Sequence, residues 1–205
     1  MTGYRVVNLK ILIEALGEDT AKSILSNFSC PMNRDVEHFL SKTAIDFAKQ
    51  GWAQTHLVFA SYKDQWVLVG YFALANKYIR ISSKRLGKTS SNLRRRISKF
   101  ATFDSEVKSY FLAAPLIAQL GKNYTNGYDK LITGDELLAE ACDKIKRLQI
   151  DVGGKFAYIE CEDKEKLIDF YSRNGFCEFD IRYLDRDETD KLDGKYLVQM
   201  LKYIK

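Results

Sequence analysis

The stretch IDFYSRNGF, residues 168–176, decides how the C-terminal half of the chain is read. Gly175 is a helix stop, because glycine takes the left-handed conformation that ends helices at little cost. Upstream, EDKEKLIDFYSRNG (162–175) sets Leu167, Phe170 and Tyr171 on one side of a helix. Downstream, FCEFDIRYL (176–184) reads as a strand opened by Phe176. Phe170 is packing. Tyr171 is either a core ring, as an aromatic at helical spacing usually is, or a phenol that can donate a proton at the edge of a site.

Working outward, KFAYIEC (155–161) is a strand entered through Gly153-Gly154, and KYLVQMLKYI (195–204) closes the chain as another, after an acidic hairpin loop. TGDELLAEACDKIKRL (133–148) is the best helix in the sequence, with Leu138, Ala141, Cys142, Ile145 and Leu148 as its apolar stripe. Thr133-Gly134-Asp135-Glu136 is a capping-box pattern. The same helix start is also a candidate phosphate cradle, since backbone N–H groups and the helix dipole favour an anion there. Ahead of it lie a buried strand, AAPLIAQLG (113–121), and a polar loop, KNYTNGYDK (122–130).

In the N-terminal half, Tyr4 to Leu12 is expected as a first strand and Thr20 to Phe28 as a short helix. Asn33 precedes an amphipathic helix carrying Val36, Phe39, Leu40, Thr43 and Phe47, which Gly51 stops. THLVFASY (55–62) and QWVLVGYFALA (65–75) are two strands joined at Lys63-Asp64. SNLRRRISKF (91–100) is a helix with Leu93, Ile97 and Phe100 inward and the Arg94–Arg96 triplet largely outward. The fold class is α/β: a mixed, mostly antiparallel central sheet with helices on both faces. Two prolines and no Ser/Gly linker point to one domain spanning 1–205.

Composition narrows the function classes. No run approaches a membrane span, and MTGYRVVNLK carries no signal-peptide pattern. Cys30, Cys142, Cys161 and Cys177 are widely spaced and only two histidines are present, so no metal site is expected and a reduced, cytoplasmic protein is. The net charge of +5 is uneven. From Gln65 to Phe103 stand Lys77, Arg80, Lys84, Arg85, Lys88, Arg94, Arg95, Arg96 and Lys99 without a single acid. The remainder carries 23 basic against 27 acidic residues. That segment is either a solvated face or a patch for RNA or another polyanion. There is no GxGxxG, no P-loop and no zinc-finger or RRM signature.

TGDELLAEAC, then AYIEC, then IDFYSRNGF together resemble the second half of a GNAT-type N-acetyltransferase. Phe170, Tyr171, Gly175 and Phe176 match that family's Phe-Tyr-x-x-x-Gly-Phe position by position, and Gly134, Leu137 and Leu138 match the end of its cofactor-loop motif. Asp129 and Ile132 stand where the loop has its first residue and earlier glycine, and Lys164 stands where an Asn is common. The resemblance covers residues 113–185, and LVGYFALA (68–75) is similar to the family's central hairpin.

The resemblance implies transfer of an acetyl group from acetyl-CoA to a primary amine by direct attack. The cofactor would lie between the strands Leu116–Gly121 and Lys155–Cys161. Backbone groups of Leu120, Gly121 and Lys122 would meet the pantetheine arm, and Lys130, Leu131, Ile132, Thr133, Gly134 and Asp135 the pyrophosphate. Tyr171 would be the general acid. Glu160 is a candidate base, although a strand carboxylate turned to a core partner has the same sequence appearance. The acceptor is open among a small amine, a protein amine and, as in a toxin branch of the family, aminoacyl-tRNA held by the basic segment Lys77–Lys99. A homodimer is left open as the assembly. The reading from a different class is a non-catalytic acyl-CoA- or RNA-binding module.

Overall fold

The structure is a computed structural model, and it describes residues 3–186, 189, 192 and 194–205. In chain order the elements are β1 (Tyr4–Asn8), α1 (Leu9–Leu16), α2 (Glu18–Leu25), α3 (Arg34–His38), a π-helical turn (Phe39–Thr43), α4 (Ala44–Gln50), β2 (Gln54–Tyr62) and β3 (Gln65–Ser82). Then come α5 (Ser83–Leu86), α6 (Ser91–Phe100), β4 (Thr102–Asp104), β5 (Ser109–Lys122), 3-10 turns (Thr125–Leu131) and α7 (Gly134–Val152). Last are β6 (Phe156–Glu162), α8 (Glu165–Arg173), β7 (Cys177–Tyr183) and β8 (Tyr196–Tyr203). The strand order is β1-β2-β3-β5-β6-β8-β7 with β4 on β5, and among the pairings with a resolved register only β5–β6 is parallel. The chain divides into two compact units, Met1–Ala75 with Ile117–Ala141 and Asn76–Leu116 with Cys142–Lys205. The elements β3, β5 and α7 contribute residues to both.

In the first unit, β1 and β2 pair antiparallel, and β2 turns into β3 at Lys63-Asp64. Both turn residues have positive φ (49° and 60°), the type I′ geometry that matches strand twist. One sheet face is covered by α1, α2 and the α3–α4 segment around Leu9, Leu40, Leu57 and Tyr71. The first half of α7 covers the other, with Leu137 against Gly70. Asn33 caps the α3–α4 segment by accepting from the amides of Asp35 and Val36 at 3.0 and 3.2 Å. Gly51, at φ 76°, ends it. The expected strand Tyr4–Leu12 stops at Asn8, whose side chain caps α1 through the amides of Lys10 and Ile11. An apolar run rich in Val, Ile and Leu has the same composition in either state, and the capping Asn8 decides it. The helix expected over Thr20–Phe28 runs from Glu18 to Leu25 instead.

In the second unit, α5 and α6 cover one sheet face through Leu86, Leu93 and Ile97, which meet Ile81, Leu112, Phe156 and Tyr158. Helix α8 packs on β6 and β7. Strand β3 extends beyond the expected Ala75 to Ser82. Phe100 and Leu148, expected inward, are 39% and 37% exposed because each sits in the margin of its helix stripe. The acidic hairpin loop falls in part on residues outside those described.

Gly121 shows how tightly the first unit is built. A Cβ there would overlap the Val36 Cγ1 methyl, so α3 seats on β5 only because the side chain is missing. Gly121→Ala should therefore cost about 1–3 kcal/mol in urea unfolding, the usual range for overpacking. The double variant with Val36→Ala should recover part of that loss, giving a non-zero coupling in the cycle.

Candidate active site

The expected cofactor residues all fall in the first unit and lie together at the end of β5 and the start of α7. Gly121 is buried beneath α3, and Leu120 and Lys122 are half-buried on either side. The Lys122 ammonium donates to the carbonyl of Asp129 at 2.8 Å, which folds the 3-10 turns back onto the strand. Lys130 is exposed at the end of those turns. The Leu131 carbonyl accepts from the Tyr4 hydroxyl at 3.0 Å, and Ile132 is extended and buried.

The capping box is formed in full. The Thr133 amide donates to Glu136 Oε2 at 2.8 Å, and the Glu136 amide donates to Thr133 Oγ1 at 3.1 Å. The Thr133 hydroxyl also donates to Glu136 Oε2 at 2.8 Å. Those amide and hydroxyl bonds, with a smaller contribution from Tyr4, hold the Glu136 carboxyl below the usual carboxylate range. Its charge is thus spent on the helix's own first turn. The box engages the amides of Thr133 and Glu136 and not that of Gly134, so the Gly134 amide and the exposed Lys130 are the groups here that fit an anion. Asp135 is exposed on the same turn.

Asn123, at the end of β5, is a structural residue that the sequence does not single out. It is fully buried. Its amide nitrogen donates to the carbonyls of Asn27 and Leu68 at 2.9 and 2.8 Å, and its oxygen accepts from the amides of Ser29 and Thr125 at 3.0 and 3.1 Å. One side chain therefore fixes the α2–α3 loop, β3 and the start of the loop expected to meet the cofactor. An isolated Asn between a strand and a polar loop carries no spacing signal that distinguishes it from an exposed turn residue.

The expected catalytic residues fall in the second unit. Helix α8 ends in a Schellman motif: the Phe176 amide donates to the Tyr171 carbonyl at 3.1 Å and the Gly175 amide to that of Ser172 at 2.9 Å. Gly175 has φ 83°. The Tyr171 ring packs edge-on against Phe176 at 5.8 Å and Phe170 at 4.9 Å, the apolar contact that accompanies this cap. Phe176 is buried and precedes β7 by one residue. Burial first, and the Cys161 thiol second, raise the Tyr171 phenol above its usual pKa, so it keeps its proton through the neutral range.

Glu160 lies elsewhere on β6. Its Oε2 accepts from Arg182 Nε and Nη2 at 3.0 and 2.9 Å. Its Oε1 accepts from the Tyr158 hydroxyl and from Gln199 Nε2, the latter at 3.1 Å. Gln199 Nε2 also donates to the Tyr158 hydroxyl at 2.6 Å. Burial pulls the Glu160 carboxyl upward, but the bonds from Arg182, Tyr158 and Gln199 outweigh it and hold it below its ordinary value. Strand alternation puts Tyr158 and Glu160 on one face of β6 and Cys161, the neighbour of Tyr171, on the other. The two expected catalytic groups are therefore not brought together by this strand.

No family model matches the chain, and no curated protein matches it. Solved structures do match over nearly the whole chain. AtaT complexed with acetyl-methionyl-tRNAfMet is 15% identical with a TM-score of 0.59, covering 95% of this chain and 93% of that one. The fold is that of the GNAT-type N-acetyltransferases. A tyrosine-to-phenylalanine variant of KacT matches at 14% identity and a TM-score of 0.60, over 97% of this chain and 95% of that one. A variant of the AtaT toxin bound to the C-terminus of the antitoxin AtaR and acetyl-CoA matches at 14% identity and a TM-score of 0.59, over 98% and 93%. The GNAT fold accounts for the order strand β5, helix α7, strand β6, helix α8 read from residues 113–185.

The capping box and the Glu160 cluster can each be tested by stability. Thr133→Ala should cost about 1 kcal/mol, the usual value of an N-cap. Because folding lowers the Glu136 pKa, its stabilisation is present above the unfolded carboxyl value of about 4.3 and is lost as pH falls through the folded value. Unfolding curves of wild type and Glu136→Gln should therefore converge in acid. Arg182→Met leaves the Glu160 carboxylate buried without its cation and should cost on the order of 3 kcal/mol by denaturant titration.

Proposed function

We propose that the chain is an acetyl-CoA-dependent N-acetyltransferase whose acceptor is the amino group of an aminoacyl-tRNA. The observation that carries the acceptor is the match over 95% of the chain to AtaT in its complex with acetyl-methionyl-tRNAfMet. The basic segment supports it. Lys77, Arg80, Lys84, Arg85, Lys88, Arg94, Arg95 and Lys99 are exposed, and among the described residues only Arg85 of these is in an ion pair, with Asp180 at 3.0 Å. Acetyl-CoA is bound, together with the C-terminus of AtaR, in the matching structure of an AtaT variant.

Acetyl-CoA, when bound, supplies an activated acetyl thioester. The backbone of Leu120–Lys122 would hold the pantetheine arm, and the segment Lys130–Gly134 would hold the pyrophosphate through the exposed Lys130 ammonium and the Gly134 amide that the capping box leaves out. Asp135 belongs to the same turn. Tyr171 keeps a proton on its hydroxyl for the sulfur as the carbon–sulfur bond breaks and the carbon–nitrogen bond forms. The amine loses a proton to water in the same reaction, and water restores the one that Tyr171 gives up. Its raised pKa makes Tyr171 a hydrogen-bond donor to the developing thiolate across the neutral range. Glu160, ionised and fully engaged by Arg182, Tyr158 and Gln199, serves this reading as a positioning carboxylate more readily than as a general base.

Tyr171→Phe should lower turnover by about 10²–10⁴-fold with cofactor affinity little changed. At a hundredfold excess over its dissociation constant, acetyl-CoA should add about 2.7 kcal/mol to the stability of both proteins. Thiol release across a panel of aminoacyl-tRNAs, amino acids and polyamines identifies the acceptor. Release with small amines alone would remove the tRNA reading. No stabilisation at millimolar acetyl-CoA would remove the enzyme and leave an RNA-binding module.

A further inference from the structure

A cavity of about 470 Å³ opens in the second unit, lined by three stretches far apart in sequence. The first turns of α6 supply Asn92 and Arg96, the second half of α7 supplies Asp143 and Lys146, and the end of β8 supplies Lys202, Tyr203 and Lys205. Four cations thus line one cavity against a single acidic side chain. Among the described residues, none of the four is in an ion pair. Four converging cations against one carboxylate raise the local potential and favour a bound anion.

The chemistry of the wall is specific. The Arg96 guanidinium lies over the Tyr203 ring at 4.4 Å, a stacking that fixes its plane and leaves its in-plane N–H fork for a phosphate. Lys202 sits over the Phe176 ring at 5.6 Å, so its ammonium is held near the cavity as well. The volume falls in the range of small-ligand sites and accommodates a nucleotide's length of backbone. Three of the four cations, Lys146, Lys202 and Lys205, lie outside the basic segment visible in the sequence.

We propose that this cavity is a phosphodiester-binding site for RNA, through which the tRNA is held. The proposal rests on the aminoacyl-tRNA reading and adds where the backbone is gripped. It ranks Arg96 with Lys146 and Lys202 above the outward Arg94 and Arg95.

The test is binding of deacylated tRNA to wild type, to Lys146→Gln/Lys202→Gln and to Arg94→Gln/Arg95→Gln over a series of salt concentrations. The cavity variant should lose about tenfold in affinity, and its log–log salt slope should fall by about 2 relative to wild type. The surface variant should lose less. Stabilisation by acetyl-CoA should be the same in all three proteins and reports their folding. Wild-type affinity retained by the cavity variant would overturn the site while leaving the tRNA reading intact. Failure of wild type itself to bind tRNA, with acetyl-CoA still stabilising, would overturn both. AMP titrated in parallel gives the remaining arm: AMP binding that the cavity variant abolishes, with tRNA affinity unchanged, would make this a mononucleotide site and overturn the RNA assignment.

Discussion

The backbone of β5 can approach α3 because Gly121 has no side chain. Around that contact the first unit ties its loops to the strand. The Tyr71 hydroxyl donates to the Val36 carbonyl at 2.6 Å from within the core, and Gln119 donates to Asp35 at 2.9 Å. Two residues further on, Asn123 fixes Asn27, Ser29, Leu68 and Thr125 at once. A larger side chain at 121 would lift α3 and strain its bonds to Tyr71 and Gln119. The residue assigned to cofactor contact is thus first a packing requirement, and its backbone is held rigidly for any ligand that pairs with it.

At the start of α7 the proposed pyrophosphate cradle meets a charge problem that is solved locally. Acidic residues in the first turn oppose an anion, yet the capping box turns Glu136 onto Thr133 and away from that use. Tyr4 adds a tie from β1 to the carbonyl of Leu131, so the loop is braced from both ends. The raised Tyr4 phenol pKa, caused by burial and then by Glu136 and Glu140, keeps that donor protonated.

Much of the fold is legible in the sequence because local signals agree with the tertiary result. Asn33 and Gly51 bound a helix, Thr133 and Glu136 form their box, and Gly175 ends α8. What the sequence hides depends on contacts across the chain. The stop of β1 turns on Asn8 acting as a cap within an apolar run. The π-helical turn at Phe39–Thr43 leaves no mark in a pattern of period 3.6. Arg182 and Gln199 come from other strands, 22 and 39 residues from Glu160, so no spacing rule shows that the carboxylate is already engaged. The same holds for Lys146, Lys202 and Lys205, which look like ordinary surface lysines until the fold gathers them.

Phe-Tyr-x-x-x-Gly-Phe carries packing and, in the proposed mechanism, chemistry, and the two separate atom by atom. The Schellman cap by itself accounts for three of its four fixed positions: Gly175 for the left-handed turn, Phe176 for the apolar contact at the position after it, and an aromatic ring at 171 to meet that contact. Phe170 packs on the same ring. A domain with this fold and no chemistry would keep all four for stability. The cap, however, uses the ring and the main-chain carbonyl of residue 171. It does not use the hydroxyl. Phenylalanine at 171 would terminate the helix as well and would spare the cost of desolvating a phenol. The oxygen is the one atom of the motif that helix termination leaves unexplained, and the proposed proton donation would give it a use.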